Sequence, residues 1–251
     1  MDIYALSHKS FFNPKPSSIS PIGLNGFMSD GFHYSDNNIS DNISHLNKFF
    51  CELTGIYYIW KSMSFSEYIG FVHYRRFFCF SNILINNNIL PDVTIIPNKE
   101  TLSNILIYDD QEKKVKDILS FYDIIVPKAS YSPISIEKSY VSAHDDDAWL
   151  AFKVRAQKEL TNIDINFFYQ NDRRNFYWNM FVTRSDIFKL YCENLFSILF
   201  DVFQEVGLKP SIDGIRYQPY RYPGYLAERF MAAFITNYNL RYYESRVLMS
   251  E

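Results

Sequence analysis

Apolar residues in this chain gather in short blocks with two different periods. Ile3-Tyr4-Ala5-Leu6, Tyr68 to Phe78, Val93-Thr94-Ile95-Ile96, Phe121 to Lys128, Phe176 to Val182 and Leu240 to Tyr243 are compact runs of branched, aromatic and aliphatic residues, the pattern of packed strands. Between them the period changes. Phe49, Leu53, Ile56, Tyr57 and Trp60 recur at helical spacing, which predicts a helix from about Lys48 to Ser62. Further helices are expected within Leu102 to Leu119, following the His144 to Leu150 stretch through about Leu160, from Ser185 to Val206 with Gly207 as its stop, and from near Gly224, where Leu226, Phe230 and Phe234 share one face. Strands alternating with helices predict an α/β protein with a central, mostly parallel sheet and a helical C-terminal part. The expected organisation is one domain over residues 1–251, with a sheet region at 1–183 and a helical region at 184–251.

Composition narrows the function. At 47% apolar residues there is ample material for a core, and a net charge of -3 argues against a protein that coats nucleic acid by charge alone. Any basic site is therefore local. Cys51, Cys79 and Cys192 are odd in number and lack a CxxC pair, so buried thiols in a reducing cytoplasm are expected rather than disulfides or a zinc site. The sequence shows no basic-then-apolar leader and no apolar run approaching a membrane span, so a soluble, cytoplasmic protein is expected. The 20 Tyr and 23 Phe against only 8 Gly suit a core, and tyrosine also suits carbohydrate partners.

The candidate chemistry is cationic and sits at strand ends. The Tyr68 to Phe78 run passes through Gly70 and then delivers His73, Arg75 and Arg76. Adjacent strand residues point to opposite faces, so both arginines reach one ligand only if the strand has ended or bulged there. His8 and Lys9 follow the first strand and Lys128 follows Pro127. Cations converging from several strand ends suit an anionic group. Asp145 and Asp147, beside His144, either cap a helix start or, if they lie on a loop, hold a divalent ion. Asn179 interrupts an apolar run and requires a hydrogen-bond partner, and Glu228 lies off the apolar stripe of its helix.

Several pieces in one order carry a resemblance: Ser7-His8-Lys9 with Ser20-Pro21-Ile22, Asp41-Asn42-Ile43-Ser44, Cys51 to Tyr57 with Trp60-Lys61, Gly70 to Arg76, Tyr122 to Lys128, Asn179-Met180-Phe181, Tyr191-Cys192 and Gly224 to Arg229. Over nearly its whole length the chain resembles a bacterial family catalogued as domain of unknown function 4422, found among capsule and O-antigen glycosyltransferases. The resemblance implies a Rossmann-like, GT-A-like fold and transfer of a sugar, with inverting chemistry, from a nucleotide-diphosphate donor. UDP-galactofuranose is a candidate donor, and the acceptor is a glycan or lipid-linked glycan at the inner face of the cytoplasmic membrane.

On that reading the donor lies against His8, Lys9, Asp41, Asn42, His73, Arg75, Arg76, Lys128 and Asn179, and the acceptor near Tyr222, Tyr225 and Arg229. Glu228 is the expected base and Asp147 the second choice. The sequence lacks an Asp-x-Asp directly after a mid-chain strand, so Mn²⁺ or Mg²⁺ at Asp145 and Asp147 is only a candidate cofactor. Two other readings remain: a carbohydrate or nucleotide-sugar binding module without catalysis, and a metal-dependent phosphate-ester hydrolase built on His144 and its aspartates.

Overall fold

The computed structural model describes residues 1–10, 19–62, 65–80, 88–90, 93–96, 99–108, 111–144 and 146–250. The strands are β1 (Asp2–Ser7), β2 (Ile19–Gly23), β3 (Tyr34–Ser35), β4 (Tyr68–His73), β5 (Arg76–Cys79), β6 (Asn88–Leu90), β7 (Val93–Ile96), β8 (Ile124–Pro127), β9 (Ser130–Tyr131), β10 (Arg174–Asn175), β11 (Phe181–Arg184) and β12 (Tyr242–Ser250). The helices are α1 (Asn47–Phe50), α2 (Leu53–Ser62), α3 (Lys99–Tyr108), α4 (Gln111–Leu119), α5 (Ile136–Val141), α6 (Asp146–Glu159), α7 (Ile165–Asn171), α8 (Ser185–Val206) and α9 (Tyr222–Asn237).

The main sheet runs β3-β2-β1-β4-β11-β8-β12-β7-β6, with β5 bridging β4 and β12. Its pairings are parallel from β3 to β4 and again from β8 through β12 to β7; β11 runs antiparallel between β4 and β8. One edge of the sheet therefore collects the carboxyl ends of β1, β4 and β8 together with the amino end of β11. Side chains alternate between two cores as pleating requires. Tyr4, Leu6, Ile69, Phe71, Ile124 and Val126 face a core shared with α2, α8 and α9, while Ile3, Ala5, Val72, Ile125, Val182 and Val247 face one shared with α3 and α4.

Four elements differ from expectation. The Tyr68 to Phe78 run is two strands joined at a tight turn, with His73 paired to Arg76 across Tyr74 and Arg75, so Arg75 leaves the sheet in the turn while Arg76 opens β5, paired with His73 and Met249. The expected strand from Phe176 begins only at Phe181, because Trp178 and Asn179 take positive φ values of 75° and 50°. The C-terminal strand expected at Leu240 to Tyr243 lies instead at Tyr242–Ser250, as β12, and is inserted between β8 and β7. The expected helix from Lys48 is broken at Cys51 (φ 53°), which separates α1 from α2.

Gly55 explains how α2 sits so near the sheet. A Cβ there would lie 2.7 Å from Leu6 Cδ2 and 2.8 Å from Leu24 Cδ2. The break before it is held by a buried polar hub. Asp36 accepts from the Asn25 and Gly26 backbone (3.0 and 3.2 Å) and from Thr54 Oγ1 (2.6 Å), and Asn47 Nδ2 donates to the Cys51 carbonyl (2.7 Å) and to Thr54 Oγ1 (3.0 Å). The kink turns Glu52 away from the helix surface and toward the sheet edge.

Candidate functional site

A cleft of about 530 Å³ opens over the carboxyl ends of β1 and β4, lined among others by His8, Cys51, Glu52, His73, Arg75, Arg76 and Arg221. Its cations are Lys48 of α1, Arg75 in the turn, Arg76 at the start of β5 and Arg221 just before α9, and His8 follows β1, held below the usual histidine range by burial and by Lys9. His8 meets the edge of the Tyr74 ring at 5.3 Å, and the Arg76 guanidinium lies 5.1 Å from the Trp178 ring. Arg221 Nε donates to Cys51 Sγ at 3.1 Å. Burial is the largest influence raising the Cys51 thiol to about 12, so it stays a thiol.

The floor of the cleft is a chain of hydrogen bonds around Trp178 and Asn179. Arg76 Nη1 lies 3.2 Å from His73 Nδ1, and arginine only donates, so Nδ1 is the acceptor. The neutral ring then carries its proton on Nε2 and donates to the Trp178 carbonyl at 2.6 Å. Burial, with Arg76 adding to it against the opposing pull of Glu52, holds His73 below the usual histidine range. The Trp178 N–H donates to Glu228 Oε1 (2.7 Å), and Asn179 Nδ2 donates to Glu52 Oε1 (2.8 Å). Two adjacent left-handed residues thus hold two carboxylates, and such backbone persists only where its surroundings fix it. Glu52 and Glu228 are 15% and 16% exposed.

Glu228 Oε2 also accepts from Arg229 Nη1 at 2.9 Å, and Arg229 is 6% exposed. Burial raises the Glu228 carboxyl above the usual range against the opposing pull of Arg229. Beyond this pair lies an aromatic group. Tyr225 stacks on His144 (4.3 Å between centroids, 26°), Tyr217 meets His144 edge-on at 5.3 Å, and Arg229 lies 5.3 Å from the Tyr177 ring. Burial first, then Arg229, lowers His144 to about 4.

The residues singled out in the sequence do not all meet. His8, His73, Arg75 and Arg76 line the cleft, and Asn179 lies behind it, hydrogen-bonded to the lining residue Glu52, with Glu228 next to it through the Trp178 N–H. Lys9 is exposed beside His8, and Lys128 is exposed at the end of β8, outside the residues lining the cleft. Asp41 instead accepts from Tyr57 OH at 2.8 Å, and Asn42 braces its own loop by binding the Ile39 carbonyl and Ser44. Tyr222 is buried and donates to the Gly207 carbonyl. Asp147 stands in the first turn of α6, 81% exposed, with Lys209 Nζ at 3.5 Å, in a separate groove. Asp145 lies outside the described residues, and among those described no group of three or more His, Cys, Asp or Glu is placed to hold a metal ion.

Glu52 and Arg221 are site residues that sequence reasoning passed over. The signal for Glu52 was its carboxylate in front of Leu53-Thr54-Gly55-Ile56, an otherwise apolar segment. Among the described residues, no helix is long and apolar enough to cross a membrane.

The model of a family described as "Domain of unknown function (DUF4422)" matches residues 2–239. No curated protein matches the chain. Among solved structures, the apo form of the bifunctional glycosyltransferase WbbM is similar, with a TM-score of 0.80 at 26% identity. The likeness covers all of this chain and 45% of that longer one, so this chain spans less than half of its length.

Proposed function

The chain belongs to the DUF4422 family, and from that premise we propose that it transfers a sugar from a nucleotide-diphosphate donor to a hydroxyl of a glycan or lipid-linked glycan. The observation that carries this reading is the opposition, in one cleft at the strand ends, of a cationic rim and the Glu52 carboxylate, with the Glu228 carboxylate buried behind it. The likeness to WbbM, a bifunctional glycosyltransferase, supports the same class.

The donor diphosphate lies against Arg75 and Arg76, with His8, Lys9 and Arg221 beside it and Lys128 further along the sheet edge. Arg76 is already oriented by His73. In the reaction the bond from the anomeric carbon to the diphosphate oxygen breaks and its electron pair leaves with the diphosphate. Preorganised guanidinium groups stabilise the charge that develops there. The acceptor oxygen bonds to the anomeric carbon, with inversion, as its proton passes to a carboxylate of the floor. The acceptor approaches past Tyr225, whose ring lies between Arg221 at the cleft and His144 beyond it. A UDP-hexose, with UDP-galactofuranose as the candidate suggested by family resemblance, and a surface-polysaccharide acceptor at the inner membrane face complete the proposal.

The test is thermal stabilisation of the purified chain by a panel of nucleotides and nucleotide sugars, each with and without Mn²⁺ or Mg²⁺. Ligand at about 100 times its Kd adds about 2.7 kcal/mol to stability. A shift with UDP and one UDP-sugar is expected, followed by transfer of that sugar. No shift with any nucleotide overturns the reading, and binding without turnover replaces it with a binding module.

A further inference from the structure

Two carboxylates lie at this site, Glu52 lining the cleft and Glu228 behind it, and their surroundings give them different work. Glu228 has both oxygens committed, Oε1 to the Trp178 N–H and Oε2 to Arg229. Arg229 is buried and its Nε has no partner among the described residues, so protonating Glu228 would strand a buried guanidinium. Glu52 differs. Its Oε1 accepts from Asn179, Oε2 receives no hydrogen bond from the described residues, and the side chain lines the cleft beside Arg75 and Arg76. His73, 3.8 Å from Glu52, is no alternative base, because Arg76 occupies its Nδ1 and Nε2 carries the proton given to Trp178.

Resting on the sugar-transfer reading above, we infer that Glu52 is the base that takes the acceptor proton, and that Glu228 is a positioning residue that holds the Trp178–Asn179 turn. The proton of the acceptor hydroxyl moves to Glu52 Oε2 as the acceptor oxygen bonds to the anomeric carbon and the diphosphate departs toward the arginines. Glu228 acts through the backbone. It fixes the Trp178 N–H while His73 fixes the carbonyl of the same residue, so Asn179 is aimed at Glu52.

The experiment compares Glu52→Gln and Glu228→Gln in the full chain. It reads UDP affinity by calorimetry, and kcat against pH for UDP-galactofuranose, or whichever nucleotide sugar most stabilises the wild type, with an octyl galactoside acceptor. Gln at position 52 keeps the oxygen that accepts from Asn179, so that variant folds. It is expected to lose roughly 10²- to 10⁴-fold in kcat, with UDP affinity within about threefold of wild type. Glu228→Gln is expected to lower kcat less and to keep the acidic limb of the pH profile at its wild-type position, which a base could not do. A Glu52→Gln enzyme within about tenfold of wild type overturns the inference, as does an acidic limb that vanishes in Glu228→Gln and persists in Glu52→Gln. If Glu228→Gln fails to fold, the Glu52→Gln rate alone decides. A wild-type chain that binds UDP and transfers while Glu52→Gln stays active refutes the assignment but leaves the transferase reading intact. A wild-type chain that binds none of the panel overturns both.

Discussion

His73 and Arg76 face each other across a two-residue turn, and Arg76 Nη1 sits 3.2 Å from His73 Nδ1. The arginine is thus the group that sets the tautomer of His73, and on the proposed reading it also holds the donor diphosphate. Arg76→Ala is expected to weaken UDP binding about 10- to 100-fold, the range for a lost charge-assisted hydrogen bond. Titration calorimetry measures it. Arg76→Lys should recover only part, since an ammonium cannot reproduce the planar fork. Unchanged affinity in Arg76→Ala would place the diphosphate elsewhere.

Asn179→Asp sets a second carboxylate where the amide nitrogen lies 2.8 Å from Glu52 Oε1. Like charges at that distance cannot both ionise cheaply, so the variant should unfold at lower temperature at pH 7 and recover as pH falls and the pair takes up a proton. Thermal melts across pH 5 to 8 test this; a midpoint that drops with acidification instead would show that the amide is not holding Glu52.

Gly55→Ala asks α2 to move off β1, because the new methyl would lie within 2.8 Å of both Leu6 and Leu24 side chains. Overpacking of this kind costs about 1–3 kcal/mol. Urea melts should show the loss, and a smaller rate effect should follow because Glu52 precedes the same helix.

His144 predicts a slope in stability against pH. Its folded value of about 4 lies below the ordinary 6.5, so between those values the unfolded chain binds the extra proton and stability rises with pH. Its neighbours Tyr140, Tyr217, Tyr225 and Arg229 supply no anion to oppose this. His144→Phe should therefore flatten the wild-type loss of stability between pH 6.5 and about 4. Identical slopes in the two proteins would count against a buried, neutral ring.

Much of the scaffold could be read from periodicity, and the missed parts share a cause. The long helix α8 has the bounds that its apolar spacing and Gly207 predict, and β1 and β8 fall within or close to their apolar runs. By contrast β2 contains Ser20 and Pro21 and looks like loop, yet Pro21 pairs with Ala5. Glu244, Ser245 and Arg246 hid most of β12, although buried Ser245 donates to the Cys79 carbonyl. The cleft lining was legible where basic residues and a strand end coincide, as at His73 to Arg76. Glu52 was not, because its placement follows from one positive φ at Cys51 and from Asn47, Thr54 and Asp36. Periodicity encodes which face of a helix is apolar and carries no information about where that helix breaks.

The place of β12 has a consequence for how the chain acquires its shape. Residues 242–250 are the only described link between β8 and β7, and they also pair with β5. Val93 finds its partner in Val247, so this part of the sheet closes a very long loop and is expected to form slowly. During synthesis β8 and β7 must wait with open edges until the 242–250 segment leaves the ribosome. Until then these edges are open to wrong pairing.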